Sequence, residues 1–132
     1  MPPEFRIGRS QLRPDAALPY YFDGNSMPWE TILDKHLNKE FKDLKMIQDE
    51  ETGFAVNLSI YPKGYFKVQH VHTHGHGIFV LKGTLKTDEG EFGPGTFVWY
   101  PAGTVMRHGA TDREACVFLY IQDRAGKLTY LE

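Results

Sequence analysis

The sequence predicts an all-β fold, because short apolar runs alternate with glycine and proline along most of its 132 residues. Turn-forming stretches such as Asp49–Gly53, Pro62–Gly64 and Lys82–Gly83 interrupt these runs at intervals of about 8–12 residues. Many short strands with this punctuation are typical of an antiparallel β-sandwich or β-barrel. The hydrophobic fraction of 41% is enough for one domain with one core.

The first part of the chain predicts an extended lead-in, followed by either a short helix or a strand. Residues 1–25 are rich in proline, tyrosine and polar groups. Ser26 could cap one short N-terminal helix, whereas a strand over Trp29–Ile32 is the alternative. We therefore expect an extended arm over residues 1–40 and a β-barrel over residues 41–132.

The rest of the chain predicts strands bounded by turn residues: Phe41–Gln48, Phe54–Tyr61, Tyr65–His72, Gly77–Leu81, Thr84–Thr87, Gly90–Phe92, Thr96–Tyr100 and Ala115–Gln122. The single cysteine, Cys116, lies in the last of these apolar runs. It has no internal partner for a disulfide, so we expect a buried thiol with a structural role.

Charge and hydropathy limit the kinds of partner that the chain is expected to bind. The formal charge of −2 gives no basic field for nucleic acid or an anionic membrane. No apolar run approaches the length of a membrane span, and the N-terminus has no apolar signal region. We expect a soluble cytoplasmic protein. Exposed strand edges also favour a homodimer, in which residues 1–25 could lie across the partner subunit.

Four of the six histidines stand at alternate positions in the run His70-Val-His72-Thr-His74-Gly-His76. On one continuous strand they would share a face, but the row would be roughly 20 Å long, and four imidazoles in a line cannot bind one ion. A reversal at residues 73–75 would return His76 towards His70 and His72. We then expect three ligands from this run, with His74 in the turn and in solvent.

The spacing around these histidines resembles the cupin superfamily. The first cupin motif is Gly, five residues, His-x-His, three or four residues, Glu, six residues, Gly. Gly64, His70, His72, His76 and Gly83 match it, with histidine in place of the usual glutamate.

The second cupin motif is Gly, five residues, Pro-x-Gly, two residues, His. Gly95, Pro101 and Gly103 match, but Met106 holds the histidine position and His108 follows two residues later. Because positions 106 and 108 share strand parity, a two-residue slide or bulge could bring His108 into the site. The alternative is that His108 is a surface histidine after a loop.

The resemblance implies a cupin-type jelly-roll barrel of antiparallel strands that holds one divalent metal ion. Its implied ligands are His70, His72, His76 and His108. A narrower similarity involves Trp29 and the runs Phe41-Lys-Asp-Leu, Glu-Glu-Thr-Gly, Tyr-Pro-Lys-Gly and Phe-Val-Leu-Lys-Gly. It resembles the branch containing 2,4′-dihydroxyacetophenone dioxygenase and acetylacetone dioxygenase, with a zinc-binding cupin domain of anti-sigma factors as a cousin.

That branch implies a non-haem iron(II) dioxygenase, which uses O₂ to cleave a carbon–carbon bond in a small diketone or aromatic ketone. Zinc, nickel or manganese are alternatives to iron(II). Another metal-dependent cupin enzyme (an isomerase, lyase or hydrolase) and a non-catalytic cupin that binds zinc or a small ligand also remain open. The expected partner is a small carbonyl compound or anion. No catalytic residue is predicted beyond the metal centre itself.

Strand parity also predicts an apolar pocket around the metal. Counted from the histidines, the inward positions are Phe66, Val68, Ile78, Val80 and Met106. Such a lining suits a small and mostly apolar oxo-compound, although for each single residue ordinary barrel packing is favoured over contact with a substrate.

Overall fold

The structure, a computed structural model, describes residues 23–131. The regular secondary structure of this range is entirely β. The strands are β1 (Glu30–Asp34), β2 (Lys39–Gln48), β3 (Ala55–Tyr61), β4 (His70–His72), β5 (His76–Lys82), β6 (Leu85–Thr87), β7 (Gly90–Phe92), β8 (Phe97–Tyr100), β9 (Val105–Met106), β10 (His108–Ala110), β11 (Cys116–Gln122) and β12 (Leu128–Tyr130).

These strands form three sheets in which every pairing is antiparallel. The large sheet has the order β1-β2-β3-β11-β5-β8. The two small sheets have the orders β10-β6-β7 and β12-β4-β9. The predicted all-β antiparallel fold is confirmed.

The core lies between the large sheet and the two small ones. Because side chains alternate along a strand, one face of the large sheet directs Tyr61, Phe118 and Val80 inward. Leu85 of β6 and Met106 of β9 meet them from the small sheets, and all five side chains are buried. The barrel is therefore filled by side chains, apart from the end that carries the histidines.

The helix predicted after Ser26 is wrong. The Ser26 hydroxyl donates instead to the Asp23 carboxylate at 2.9 Å and closes a turn. β1 follows this turn and pairs along its whole length with β2. Residues 30–34 of the predicted arm thus form part of the large sheet, close to the strand expected at Trp29–Ile32. The arm's residues 1–22, and any contact they make with a partner, lie outside the described residues.

Three strands of the small sheets were not predicted, namely β9, β10 and β12. Each is two or three residues long, so its hydrophobic pattern is too short to show a period. The strand predicted over Tyr65–His72 forms only at His70–His72, although Phe66 makes an isolated bridge to Gly109. Within residues 23–131, no helix is long and apolar enough to span a membrane.

Candidate metal centre

The connection from β4 to β5 brings the alternating histidines together. His70 and His72 lie on β4, and His76 begins β5. β4 and β5 belong to different sheets, so residues 73–75 carry the chain from one side of the barrel to the other. The straight row of the sequence is broken at the position where a reversal was expected.

His108 enters the same region because the chain changes sheets at Arg107. Met106 of β9 pairs with His70, whereas His108 of β10 pairs with Thr87 of β6. Between them, the exposed Arg107 side chain donates from Nε to Asp88 Oδ1 at 2.7 Å. Both Met106 and His108 therefore point into the barrel, which explains why a histidine two residues late can still face the cluster.

The histidines form two groups of three that share one member. Donor atoms of His70, His72 and His108 lie within 4.8 Å of one another, and so do those of His72, His74 and His76. The ring centroids of His72 and His76 are 4.3 Å apart, and those of His76 and His108 are 6.0 Å apart. All five histidines are buried.

Hydrogen bonds decide which nitrogen of His70 and His108 is free. His70 Nδ1 donates to the Val68 carbonyl at 2.7 Å, since a carbonyl can only accept. His108 Nδ1 lies 3.2 Å from the Tyr61 hydroxyl. The Nε2 atoms of both rings are buried and have no hydrogen-bond partner among residues 23–131. Each of these Nε2 atoms is therefore available to a metal ion.

His72 and His76 are held in the neutral form. Burial, followed by the neighbouring imidazoles, lowers the pKa of each to about 3. Burial also lowers the pKa of His108 well below its ordinary value. Within the described part of the chain, His72 Nδ1 and both nitrogens of His76 lack a partner. Unpaired buried nitrogens are costly, so neutral imidazoles in this arrangement fit a divalent ion that would satisfy them.

His74 is not in solvent, contrary to the expectation from the turn; it is 5% exposed. Its Nε2 lies 3.1 Å from the Tyr120 hydroxyl, which itself donates to Gln122 Oε1 at 3.0 Å. The backbone of Gly126 lies so close to His74 Nδ1 that an added Cβ would overlap it. Its Nδ1 is buried with no partner among the described residues, and His74 belongs to one of the two histidine groups. Its position fits either a ligand or, through Tyr120, a support for the site; we predict the support.

A cavity of about 180 Å³ adjoins the cluster and is bordered by His72 and His108. Phe41, Phe118 and Leu128 give it apolar walls. Polar groups also reach it, namely Asp43, Asn57, Ser59, Tyr61, Lys67 and Tyr120. The cavity can therefore hold a small and largely apolar molecule with polar ends.

Asp43 is a cavity residue that the sequence reasoning missed. Ser59 donates to its Oδ1 at 2.7 Å, and the Asn57 amide approaches Oδ2 at 3.4 Å. Burial raises the pKa of this carboxyl above its ordinary value. A signal was present in the sequence, because Asp43 shares inward parity with Phe41, and Asn57 and Ser59 share it with Tyr61.

The predicted pocket residues are divided between the core and the surface. Ile78, Val80 and Met106 are buried in the core cluster. Phe66 and Val68 line a separate surface groove together with exposed Arg107, whose guanidinium lies 4.9 Å from the Phe66 ring centroid. The side chains of Phe66 and Val68 therefore do not line the histidine cavity, although the Val68 carbonyl accepts from His70. The reason is that residues 67–69 do not form a strand. The alternation of inward and outward side chains, extended back from His70, therefore does not hold there.

The family model of the ChrR cupin-like domain matches residues 19–125. The chain belongs to this cupin family. Among curated proteins, none matches the sequence significantly.

Solved structures share the fold at low sequence identity. The polyketide cyclase RemF from Streptomyces resistomycificus has a TM-score of 0.69 at 17% identity, with 87% of each chain covered. A candidate acetylacetone dioxygenase from Methylibium petroleiphilum has a TM-score of 0.70 at 14% identity, covering 87% of this chain and 82% of that one. The Rhodobacter sphaeroides SigE–ChrR complex matches with a TM-score of 0.61 at 18% identity, covering 74% and 50%. These similarities show the cupin fold.

Proposed function

We propose that this cupin is a metal-dependent enzyme, a non-haem iron(II) dioxygenase that cleaves a carbon–carbon bond in a small diketone or aromatic ketone. The observation that carries the proposal is the set of buried neutral imidazoles with unpartnered nitrogens beside a small cavity. His70, His72, His76 and His108 would hold the ion. Zinc, nickel and manganese are the alternatives to iron(II).

The ligand set favours an anionic chelating substrate. Four neutral histidines leave the full charge of a divalent ion uncompensated, so an enolate or diketonate oxygen is attracted to it. When bound, iron(II) would supply an electrophilic centre for the carbonyl oxygens and a place for O₂. The candidate acetylacetone dioxygenase among the structural matches supports this substrate class.

The chain's own residues orient the ligands and exclude water. The Tyr61 hydroxyl holds His108 through Nδ1, and the Val68 carbonyl holds His70 through Nδ1. Such partners fix the tautomer and ring orientation of a ligand. Phe41 and Phe118 present apolar faces to the cavity, and the water that a bound substrate displaces from them would strengthen electrostatic interactions inside it.

Metal analysis and oxygen uptake test the proposal. Untagged protein should carry one ion per chain, with iron the most abundant metal by mass spectrometry. Iron(II)-loaded protein should consume O₂ with a panel of 1,3-diketones and aromatic ketones and release carboxylic acid products. Zinc held by four protein ligands, with no O₂ consumed on any member of the panel, would instead favour a non-catalytic binding cupin.

A second candidate is a metal-dependent isomerase, lyase or hydrolase. Asp43 favours it, because a buried carboxylate in the cavity could accept a proton from a carbon beside a carbonyl. Zinc-loaded protein would then exchange that hydrogen for deuterium in D₂O without consuming O₂. The isosteric Asp43→Asn variant should lose the exchange about 100-fold or more. Oxygen-dependent turnover that survives Asp43→Asn excludes this candidate.

The charge at position 76 gives a separate prediction. Replacement of His76 by glutamate should keep the metal, because it restores the usual cupin ligand set. The added negative charge should weaken a diketonate or carboxylate inhibitor by about 1–2 kcal/mol at an intermediate dielectric. Inhibitor titration of both proteins, fully loaded with the same metal, measures the difference. Equal affinities would mean that His76 does not ligate the ion.

We also propose that the protein is a homodimer. β8 is an edge strand of the large sheet, and its outward side chains Phe97 and Trp99 are exposed, as is Leu81 on neighbouring β5. An apolar face at an unpaired edge favours association. Light scattering should report twice the 15.1 kDa chain mass at micromolar concentration. The Trp99→Ser variant should have a lower mass, closer to that of a single chain. A wild-type mass of a single chain contradicts the proposal.

A further inference from the structure

Lys67 is a largely buried cation near the candidate metal centre. It lies between β3 and β4, and its side chain is only 12% exposed. Lys67 is one of the residues that line the histidine cavity. After burial, the charge of Lys67 is among the causes that lower the pKa of His70, His72 and His108. Its field is therefore felt by three of the four proposed ligands.

Two of the three ammonium hydrogens of Lys67 have protein partners. Nζ donates to Asp34 Oδ2 at 3.3 Å and to the Tyr130 hydroxyl at 3.0 Å. Asp34 also accepts from the Tyr65 hydroxyl at 2.7 Å and from the His36 backbone N–H at 2.9 Å. These contacts anchor the ammonium. No third acceptor for it occurs among the described residues, so one N–H remains for a molecule in the cavity.

Lys67 also lines two pockets, the histidine cavity and a second groove. The second groove, of about 300 Å³, is lined by residues of the β1–β2 hairpin and by Tyr130. This groove and the histidine cavity share Phe41 and Lys67. A small molecule that moved between the groove and the histidine cavity would pass Phe41 and Lys67. Lys67 is thus placed to act on both the entry and the binding of a charged ligand.

We propose that Lys67 is a specificity-determining residue that selects small anions, carboxylates or enolates, for the histidine cavity through its free N–H. The inference rests on the proposed function, because it takes the metal-bearing cavity as the binding site. The anion would lie between the ion and the ammonium, and its apolar part would lie against Phe41 and Phe118. A neutral molecule of the same shape would gain little from the same position.

The test compares an anion with its neutral isostere. Zinc-loaded protein is titrated with benzoate and with benzamide by calorimetry. Lys67→Met keeps the length of the side chain but removes its charge, so it should weaken benzoate about 10- to 100-fold and leave benzamide unchanged. Lys67→Arg should stay within about threefold of wild type. Lys35→Met is the matched control, because Lys35 lines the second groove but not the histidine cavity. This variant should change the affinity for neither benzoate nor benzamide.

Each outcome separates the inference from the proposed function. Equal benzoate affinity in wild type and Lys67→Met, an equal loss for benzoate and benzamide, or no benzoate binding by wild type would overturn the inference while zinc content stays at one per chain. Failure of wild type to hold zinc would overturn the metal site itself. If Lys67→Met does not fold, Asp34→Asn combined with Lys67→Met removes the ion pair as a unit and should show the same selective loss of benzoate.

Discussion

Replacing His72 with alanine should abolish metal binding. His72 belongs to both histidine groups, so its loss leaves neither group with three donors. Among residues 23–131, no three of the remaining histidines have donor atoms within 4.8 Å of one another, so affinity should fall by at least about 100-fold. Metal content after dialysis against a dilute divalent ion, measured by mass spectrometry, gives the result directly.

A thermal shift gives a second measurement of the same loss. A ligand at 100 times its dissociation constant stabilises the native state by about 2.7 kcal/mol, which raises Tm by about 10 °C for a domain of this size. Added metal should raise Tm for wild type and leave it unchanged for His72→Ala.

Two matched substitutions control for the loss of a histidine as such. His36→Ala removes the one histidine outside the cluster and should bind metal like wild type. His74→Ala should also retain the ion, at some cost in stability, because it leaves the Tyr120 hydroxyl with Gln122 as its one remaining partner among the described residues. If His72→Ala and His74→Ala lose metal equally, His74 is a ligand, and its assignment as a support is wrong.

The histidine cluster shows how far a linear pattern can predict a site. Strand geometry shows that four alternating imidazoles cannot bind one ion in a straight row. A glycine beside His74 then indicates where the row must break. That reasoning placed His70, His72 and His76 on two strands, and the structure agrees. It misplaced His74, because a turn residue is assumed to face solvent, whereas here Tyr120 and Gly126 of distant segments enclose it.

The lining of the cavity was less predictable for the same physical reason. Asp43 and Ser59 meet only because β2 pairs with β3 in one register, which joins them across 16 positions of sequence. Lys67 and Tyr130 meet across 63 positions, through a strand too short to show a period. Where residues belong to long strands, their inward parity could be counted. Where the chain is irregular, as at residues 67–69, only the tertiary contacts decide which side chain enters the cavity.

Among glycine-to-alanine substitutions near the histidine cluster, Gly109→Ala should cause the largest loss of stability. Gly109 lies between His108 and Ala110 on β10, and it bridges to Phe66. An added Cβ would overlap the Tyr65 carbonyl oxygen and meet Phe66 Cα at 2.7 Å. Both neighbours are backbone atoms, so no side-chain rotation relieves the clash. That carbonyl also accepts the Ala110 N–H at 2.6 Å, which holds the two segments together.

The expected cost is about 3 kcal/mol, the upper range for overpacking, and a fall in Tm of about 10 °C. Metal affinity should fall as well, because the backbone shift that relieves Gly109 must move His108 beside it. Gly93→Ala is the matched control: its Cβ would meet nothing within 4 Å, and its φ is not in the left-handed range. Thermal unfolding of metal-free wild type, Gly109→Ala and Gly93→Ala measures the cost of the backbone clash alone. Metal titration of the same proteins then shows whether His108 has moved. If the two variants instead have Tm values within about 2 °C of each other, their stabilities differ by less than about 1 kcal/mol. That result would mean that Gly109 does not pack tightly against the Tyr65 backbone and that this contact does not hold His108 in place.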